Sequence, residues 1–349
     1  LIRKGGWEAM KMPELTPCER IDGGFQVKIS MSFPLRWVNS YVLKGQDGFT
    51  IVDPGPRSTD TEEEWAHVFR ELGMSFGDIS DIVVTHHHPD HYGLAGWMQQ
   101  QSQARVHMSA RSHKEAMVMW GQPDSQADIS MPMEQRLPSF FVRHGFPVEQ
   151  VSALELHMQQ AHLQVNPQPD ITVIPVGEDA RLELGGRGWL PIETGGHAPG
   201  HVSLYEPNSG VILCGDAVLP RISPNISLLP GSDPQPLQSF LNGLQRLGEL
   251  EVAWAYPGHR NPFGYFRERT QALLEHHEER LDKFHELIQP EGSTAYELCI
   301  AVFSDKLGIH QLRFAMSETL AHLVELERRG RASISETNPI ARFYPLRGK

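Results

Sequence analysis

The sequence predicts an α/β fold, one large domain with a small helical one behind it. Strand-type runs alternate with helix-type runs from residue 25 to about residue 260. Every cluster of histidine and aspartate falls at an end of a strand-type run, where layered α/β proteins commonly build their sites. Size agrees, since 349 residues at 40% hydrophobic content suffice for one large core and a smaller one.

Residues 1–24 hold few strand or helix signals and are expected to be a lead-in. Leu1 is not an ordinary initiator, so the polypeptide is expected to start at Met10 or Met12, and the first nine residues carry none of the candidate ligands. Phe25–Met31, Trp37–Leu43 and Phe49–Asp53 follow as strands, the last two joined by the turn Lys44-Gly-Gln-Asp-Gly48. A helix comes next. Trp65, Val68, Phe69 and Leu72 fall at i, i+3, i+4 and i+7, Glu62 to Glu64 suit the positive end of its dipole, and Gly73 can close it. Ile79-Ser-Asp-Ile-Val-Val-Thr85 is β-branched and apolar, a buried strand, and a helix is expected around Leu94 to Gln101.

Between Val106 and Ile171 helical patterns dominate, around His113–Trp120, Glu134–His144 and Val148–Leu163, which marks a helical insertion over about residues 110–167. This region holds half of the 12 methionines, Met108, Met117, Met119, Met131, Met133 and Met158, together with Trp120, Phe140, Phe141 and Phe146. Such side chains either fill a core or form the adaptable wall of an apolar substrate pocket, a lid. Beyond residue 265 come a charged helix over Phe266–Leu287 with Leu273 and Leu274 on its apolar side, two further helical segments over Thr294–Leu307 and His310–Arg329, and a hairpin-like stretch over Arg331–Pro345. The expected boundaries are therefore 1–24, 25–265 and 266–349.

Residues 85 to 91 read Thr-His-His-His-Pro-Asp-His and place His86, His88, Asp90 and His91 in the spacing H-x-H-x-D-H. Imidazole nitrogens and carboxylate oxygens are the usual ligands of zinc and similar divalent ions, and few structural roles want four of them on one loop. Three later sites add to the set: Gly195-Gly-His-Ala-Pro-Gly-His201 with His197 and His201, Leu213-Cys-Gly-Asp216, and Ala255-Tyr-Pro-Gly-His259.

In that order these motifs resemble the metallo-β-lactamase superfamily over roughly residues 25 to 260. The resemblance implies a four-layer αββα metallo-β-lactamase sandwich, here with a helical insertion and a small C-terminal winged-helix-like domain similar to that of the β-lactamase-like protein 2 branch. It also implies two divalent metal ions per chain, zinc first, with iron or manganese compatible with the oxygen-rich set. His86, His88 and His201 would hold one ion, Asp90, His91 and His259 the other, and Asp216 would bridge them. His201 is preferred over His197 because it directly precedes the strand-type run Val202-Ser-Leu-Tyr205, which leaves His197 beside the ligands rather than among them. His87 is expected to point away and to pack or hydrogen-bond. Asp53, in Ile51-Val-Asp-Pro-Gly55, is expected to orient the metal loop or shape a turn. His276 and His277 project about 100° apart on a helix and cannot chelate together comfortably, so a structural role, or one beside the ligands rather than among them, is expected.

The chemistry implied is hydrolysis. Asp90 and Asp216 are the catalytic candidates. A metal-bridging water whose pKa falls from about 15.7 towards 7 would attack a small ester, thioester or lactone-like substrate with an apolar part. Arg221, the sole cation of the loop after Asp216, could hold a substrate carboxylate or phosphate, or make a surface ion pair. Tyr256 could donate to an oxyanion or pack beside its strand. Two other functions compete: a metal-dependent single-strand endoribonuclease, and a non-catalytic metal-bearing binding or sensing module.

Composition narrows the field. A formal charge of −12 disfavours a protein that coats nucleic acid without excluding nucleic acid as a partner, and the segment His310–Arg329 balances Arg313, Arg328 and Arg329 against Glu318, Glu325 and Glu327. Its stripe of Leu312, Met316, Leu320 and Leu323 would pack on the main domain or on a partner subunit, as in a homodimer. No run approaches the roughly 18 apolar residues of a membrane helix. Cys18, Cys214 and Cys299 are odd in number and widely spaced, and no signal-type apolar core precedes them, so a cytoplasmic location without disulfides is expected.

Overall fold

The computed structural model describes residues 13–31, 35–121, 131–177, 179–337 and 339–346; the expected start at Met10 or Met12 lies outside them. A seven-stranded sheet has the order β1 (Glu14–Pro17), β2 (Gly24–Ser30), β3 (Trp37–Lys44), β4 (Phe49–Val52), β5 (Ile79–Val83), β6 (Arg105–Met108) and β7 (Ile171–Val173). Its first four strands are antiparallel and its last four parallel. A second sheet is built from β8 (Leu182–Leu184), β9 (Arg187–Thr194), β10 (His201–Glu206), β11 (Val211–Gly215) and β12 (Trp254–Pro257), in the order β12-β11-β10-β9-β8. The described part of the expected lead-in is thus part of the fold, since Glu14–Pro17 pairs with Phe25–Lys28 as an edge strand that four residues including a proline signal poorly.

Strand periodicity sorts side chains between two cores. On β3, Tyr41 and Leu43 turn to the second sheet and join Val52, Val83, Trp189, Val202, Leu204, Val211 and Leu213 in a layer between the sheets. Val38 and Val42 face the other way, into the core under the helices, as do Ile212 and Cys214 on β11. The two sheets pack face to face with helices outside them, the four-layer sandwich.

Helix α1 (Thr59–Leu72) begins where the Ser58 side chain accepts from the Thr61 amide and ends at Gly73 in the left-handed conformation, as its sequence signals require. Two short helices, α2 (Pro89–Tyr92) and α3 (Ala95–Ser102), follow β5. Between the neighbouring parallel strands β6 and β7 the chain forms α4 (Ala110–Trp120), α5 (Met133–Arg143) and α6 (Val151–Leu163), the helical insertion. Met108, Met119, Met133, Met158, Trp120, Phe141 and Phe146 are buried in the main core, whereas Met117 and Met131 are exposed. These side chains fill a core, and this favours the core over the lid.

Helix α7 (Pro236–Gly248) covers the second sheet and packs on α8 (Phe266–Leu287), which leads into α9 (Ala295–Val302), α10 (Ile309–Arg328) and the hairpin β13 (Ala332–Ser335) and β14 (Arg342–Pro345). Along α10, Leu312, Met316, Leu320 and Leu323 are buried against the rest of the chain. No helix among the described residues is long and apolar enough to cross a membrane.

Candidate metal centre

Asp53 and Thr85 close the ends of two adjacent parallel strands, and the Asp53 amide donates to Val83 O. Asp53 takes the left-handed conformation, φ 53°, which aspartate tolerates better than most residues. Its carboxylate accepts from the Thr85 amide and the Thr85 hydroxyl, both at 2.8 Å, and from His91 Nδ1 at 2.8 Å. Thr85 Oγ1, having given its proton to Asp53, can accept from His86 Nδ1 at 2.9 Å. One buried carboxylate therefore fixes both histidines that flank the loop.

The same device recurs across the site. His259 Nδ1 donates to Trp37 O at 3.0 Å and His197 Nδ1 to Asn225 O at 2.9 Å. With Nδ1 spent on an acceptor, each ring turns the lone pair of Nε2 inward, the tautomer and orientation a metal ligand needs. His86 Nε2 lies 3.0 Å from His88 Nδ1 and 3.3 Å from His197 Nε2. Asp216 reaches His91 Nε2 at 3.6 Å, His197 Nε2 at 3.6 Å and His259 Nε2 at 3.3 Å, and Asp90 Oδ2 reaches His259 Nε2 at 3.2 Å.

Three overlapping groups bring their ligand atoms within 4.8 Å of one another: His86, His88 and His197; His86, His91 and Asp216; Asp90, His91 and His259. Buried His91 Nε2 and Asp216 Oδ1 have no hydrogen-bond partner among the described residues, a costly condition unless something else takes those lone pairs. Such a donor set fits divalent cations. Electrostatics divide the cluster: burial, and then neighbouring imidazoles, hold His86 and His88 well below the usual histidine range, in the neutral form that binds metal, whereas burial lowers His91 but the Asp216, Asp90 and Asp53 charges lift it well above that range. For His259 burial acts downward too, but the Asp216 charge outweighs it and lifts the imidazole to about 10. Burial pulls the Asp90 carboxyl up, yet His91 and His259 hold it below the ordinary carboxylate range.

His201 departs from expectation. Its Nε2 accepts the Asp216 amide at 3.1 Å and its Nδ1 meets Thr194 Oγ1 at 3.1 Å, so both nitrogens are engaged and none is left to turn to His86 and His88. His197 stands there instead. Position immediately before a strand points to His201, but β10 pairs from His201 onward and its first residue belongs to the sheet, while the preceding turn carries His197 towards His86. Gly215, φ 47°, allows this arrangement, since a Cβ there would lie 2.5 Å from His201 Nε2. At Gly258 a Cβ would strike Asp216 Oδ1 and lie 2.7 Å from His91 Cε1.

The remaining candidates lie elsewhere. Tyr256 is buried between the sheets, with its hydroxyl accepting the Arg20 amide at 3.1 Å and its ring edge-on to Tyr41, so it packs and does not face the cluster. Arg221 is exposed and lines a surface cavity of about 310 Å³ with Arg269, His276 and Glu279. His87 is buried, its carbonyl accepting from the Trp120 indole at 2.8 Å. His277 and His322 bond to each other at 3.1 Å inside the helical layer. Thr85 and Asn225, which the motifs did not single out, emerge as the residues that hold His86 and His197.

Residues 35–259 match the sequence family described as the Metallo-beta-lactamase superfamily, well over half of the chain. The protein belongs to that superfamily. Residues 281–346 match a second family, described as Metallo-beta-lactamase-like, C-terminal domain. The superfamily resemblance extends to whole chains. A metallo-beta-lactamase family protein from Thermus thermophilus is 31% identical with a TM-score of 0.80, covering 93% of this chain and 99% of that one. A beta-lactamase domain protein from Burkholderia ambifaria is 27% identical with a TM-score of 0.81, covering 93% and 92%. Among curated sequences, the probable metallo-hydrolase YqjP of Bacillus subtilis (strain 168) is 24% identical over 311 residues, 86% of this chain and 91% of its own.

Proposed function

We propose that the protein is a metal-dependent hydrolase whose centre holds two divalent ions and acts on a small ester, thioester or lactone-like substrate. The observation that carries this reading is the position of Asp216, whose two oxygens reach His91, His197 and His259 and so touch both the His86-His88-His197 group and the Asp90-His91-His259 group. Divalent ions bound there supply Lewis acidity towards a carbonyl oxygen and a low-pKa water at neutral pH. His86, His88 and His197 would hold one ion, Asp90, His91 and His259 the other, and Asp216 both. Zinc suits the imidazoles, and iron or manganese suits the same mixed set.

The chain's own contribution is orientation. Asp53, Thr85, Asn225 and the Trp37 carbonyl fix the imidazoles, and His201 fixes the Asp216 backbone. The Asp90 side chain, 21% exposed, is the most open of the cluster's carboxylates and marks the side from which substrate approaches. What counts against a nucleic-acid substrate is α10, whose Arg328 and Arg329 are tied to Glu325 and Glu278 rather than offered to phosphates.

The test combines elemental analysis of protein purified under metal-replete conditions with a hydrolysis screen over thioesters, lactones, β-lactams and single-stranded RNA. About two ions per chain and turnover of a thioester or lactone are expected. Trace metal alone would overturn the proposal, and turnover of RNA only would replace its substrate class.

A further inference from the structure

Helix α10 carries a cation, Arg313, to which no described residue offers a counter-charge. Arg313 is half-buried; among the described residues its Nε is fully enclosed without a hydrogen-bond partner, and its Nη1 meets the Met158 sulfur at 3.5 Å. The guanidinium lies 4.1 Å from the centre of the Phe314 ring. No carboxylate among the described residues forms an ion pair with it, whereas its neighbours in the same helical layer, Arg280, Arg328 and Arg329, all have one. Burial alone pushes it down to about 10.

Its position is tied to the centre through a short chain of bonds. Asn225 Nδ2 donates to Phe314 O at 3.2 Å and to Glu318 Oε2 at 2.9 Å, while Asn225 O accepts from His197 Nδ1. One turn before Arg313, His310 lies near enough to Asp90 for that carboxylate to act on it, and its ring meets that of His157 on α6 edge-on at 5.1 Å. Arg313 bears on both of these histidines. Helices α6 and α10 thus meet around Arg313, and Asn225 links the residue next to it, Phe314, to His197 of the metal cluster.

A charge taken out of water without a counter-charge is unfavourable, and a thioether and an aromatic face replace its hydration only weakly. Guanidinium tolerates such a place better than ammonium, and it keeps a planar fork of donors suited to a carboxylate or phosphate. We propose that Arg313, flanked by His157 and His310, is a recognition subsite for an anionic group, carboxylate or phosphate, on the substrate whose scissile bond lies at the metals. The position of that scissile bond rests on the proposed hydrolase function; the anion subsite does not.

The experiment uses the full metal-loaded chain, with R313M and R313K. Kinetics compare S-succinyl-N-acetylcysteamine with its neutral S-butyryl counterpart, and thermal unfolding is followed with glutarate, with uncharged glutaramide and with inorganic phosphate. The ratio of kcat/KM for the anionic over the neutral thioester is expected to fall at least about tenfold in R313M and to recover in part in R313K. Glutarate or phosphate should raise the wild-type Tm more than that of R313M, and the larger of the two shifts identifies the anion. An unchanged ratio, or equal anion-induced shifts in wild type and R313M, overturns the subsite. If neither thioester is cleaved, the hydrolase reading fails for this class while the unfolding comparison still decides the subsite; if R313M does not fold, R313Q takes its place in both measurements.

Discussion

His91 Nδ1 is bound to Asp53 Oδ2 at 2.8 Å, and the ring so held points Nε2 at Asp216 Oδ1, 3.6 Å away. Asp53 also carries the Thr85 amide and hydroxyl, so a single buried carboxylate anchors both ends of the H-x-H-x-D-H loop. D53N keeps the shape but offers one oxygen and an amide where three donors converge. Metal affinity is expected to fall about 10- to 100-fold, measured by competition with a chromogenic chelator. Unchanged affinity would show that the loop holds its shape without the carboxylate.

The hydrogen bonds around His197 and His201 favour the reverse of the roles that the sequence suggested. H197A should cost about one ion per chain by elemental analysis, because His197 Nε2 faces His86. H201A should retain more metal but lose about 1–3 kcal/mol of stability in denaturant unfolding, since the buried Asp216 amide then lacks its acceptor. The reverse pattern would restore His201 as the ligand.

Phe141 is fully buried, with Phe140 and Phe146 rings 6.2 and 5.7 Å from its own. F141A is expected to lower unfolding stability by about 3–5 kcal/mol. A stable F141A with altered preference for long apolar substrates would favour the lid.

His277 and His322 predict an acid sensitivity independent of the metals. Burial, then the neighbouring His322, lowers His277 to about 2, and burial lowers His322 to about 3, with Arg280 adding to both. Unfolded, each takes up a proton near pH 6.5; folded, neither does, so their contribution is complete above that pH and is lost as the pH falls towards 3. Between pH 7 and 5 the loss is about 2 kcal/mol for each histidine. Chemical unfolding of wild type and H277L at the two pH values should show the smaller loss in the variant; equal losses would refute the assignment.

Much of this was written locally and much was not. Helix α8 spans Phe266–Leu287 as its pattern indicates, and Gly73 closes α1, because caps and periodicity are properties of neighbouring residues. The H-x-H-x-D-H loop was legible for the same reason. The choice between His197 and His201 was not, since it depends on which nitrogen the Asp216 amide occupies, a contact across 15 residues. Strand β1 has no signal of its own and exists because β2 offers an edge. Arg313 reads in the sequence as one charge in a balanced helix; its burial against Met158 and the absence of an ion pair with any described carboxylate set it apart.

The face-to-face packing of the sheets has a consequence for how the centre comes into being. Asp53 and His86 to His91 belong to the ends of the first sheet, His197, Asp216 and His259 to the second, and Asn39 and Tyr41 stitch the two by donating to the Pro257 carbonyl at 2.9 and 2.6 Å. No partly folded chain with one sheet formed can hold the full set, so ion binding is an equilibrium property of docking as much as of ligands. By linkage, a substitution in the layer between the sheets, such as W189F, should weaken ion affinity by the factor by which it lowers the docked fraction of the ion-free chain. Chelator titration would then serve as a gauge of assembly for the entire sandwich.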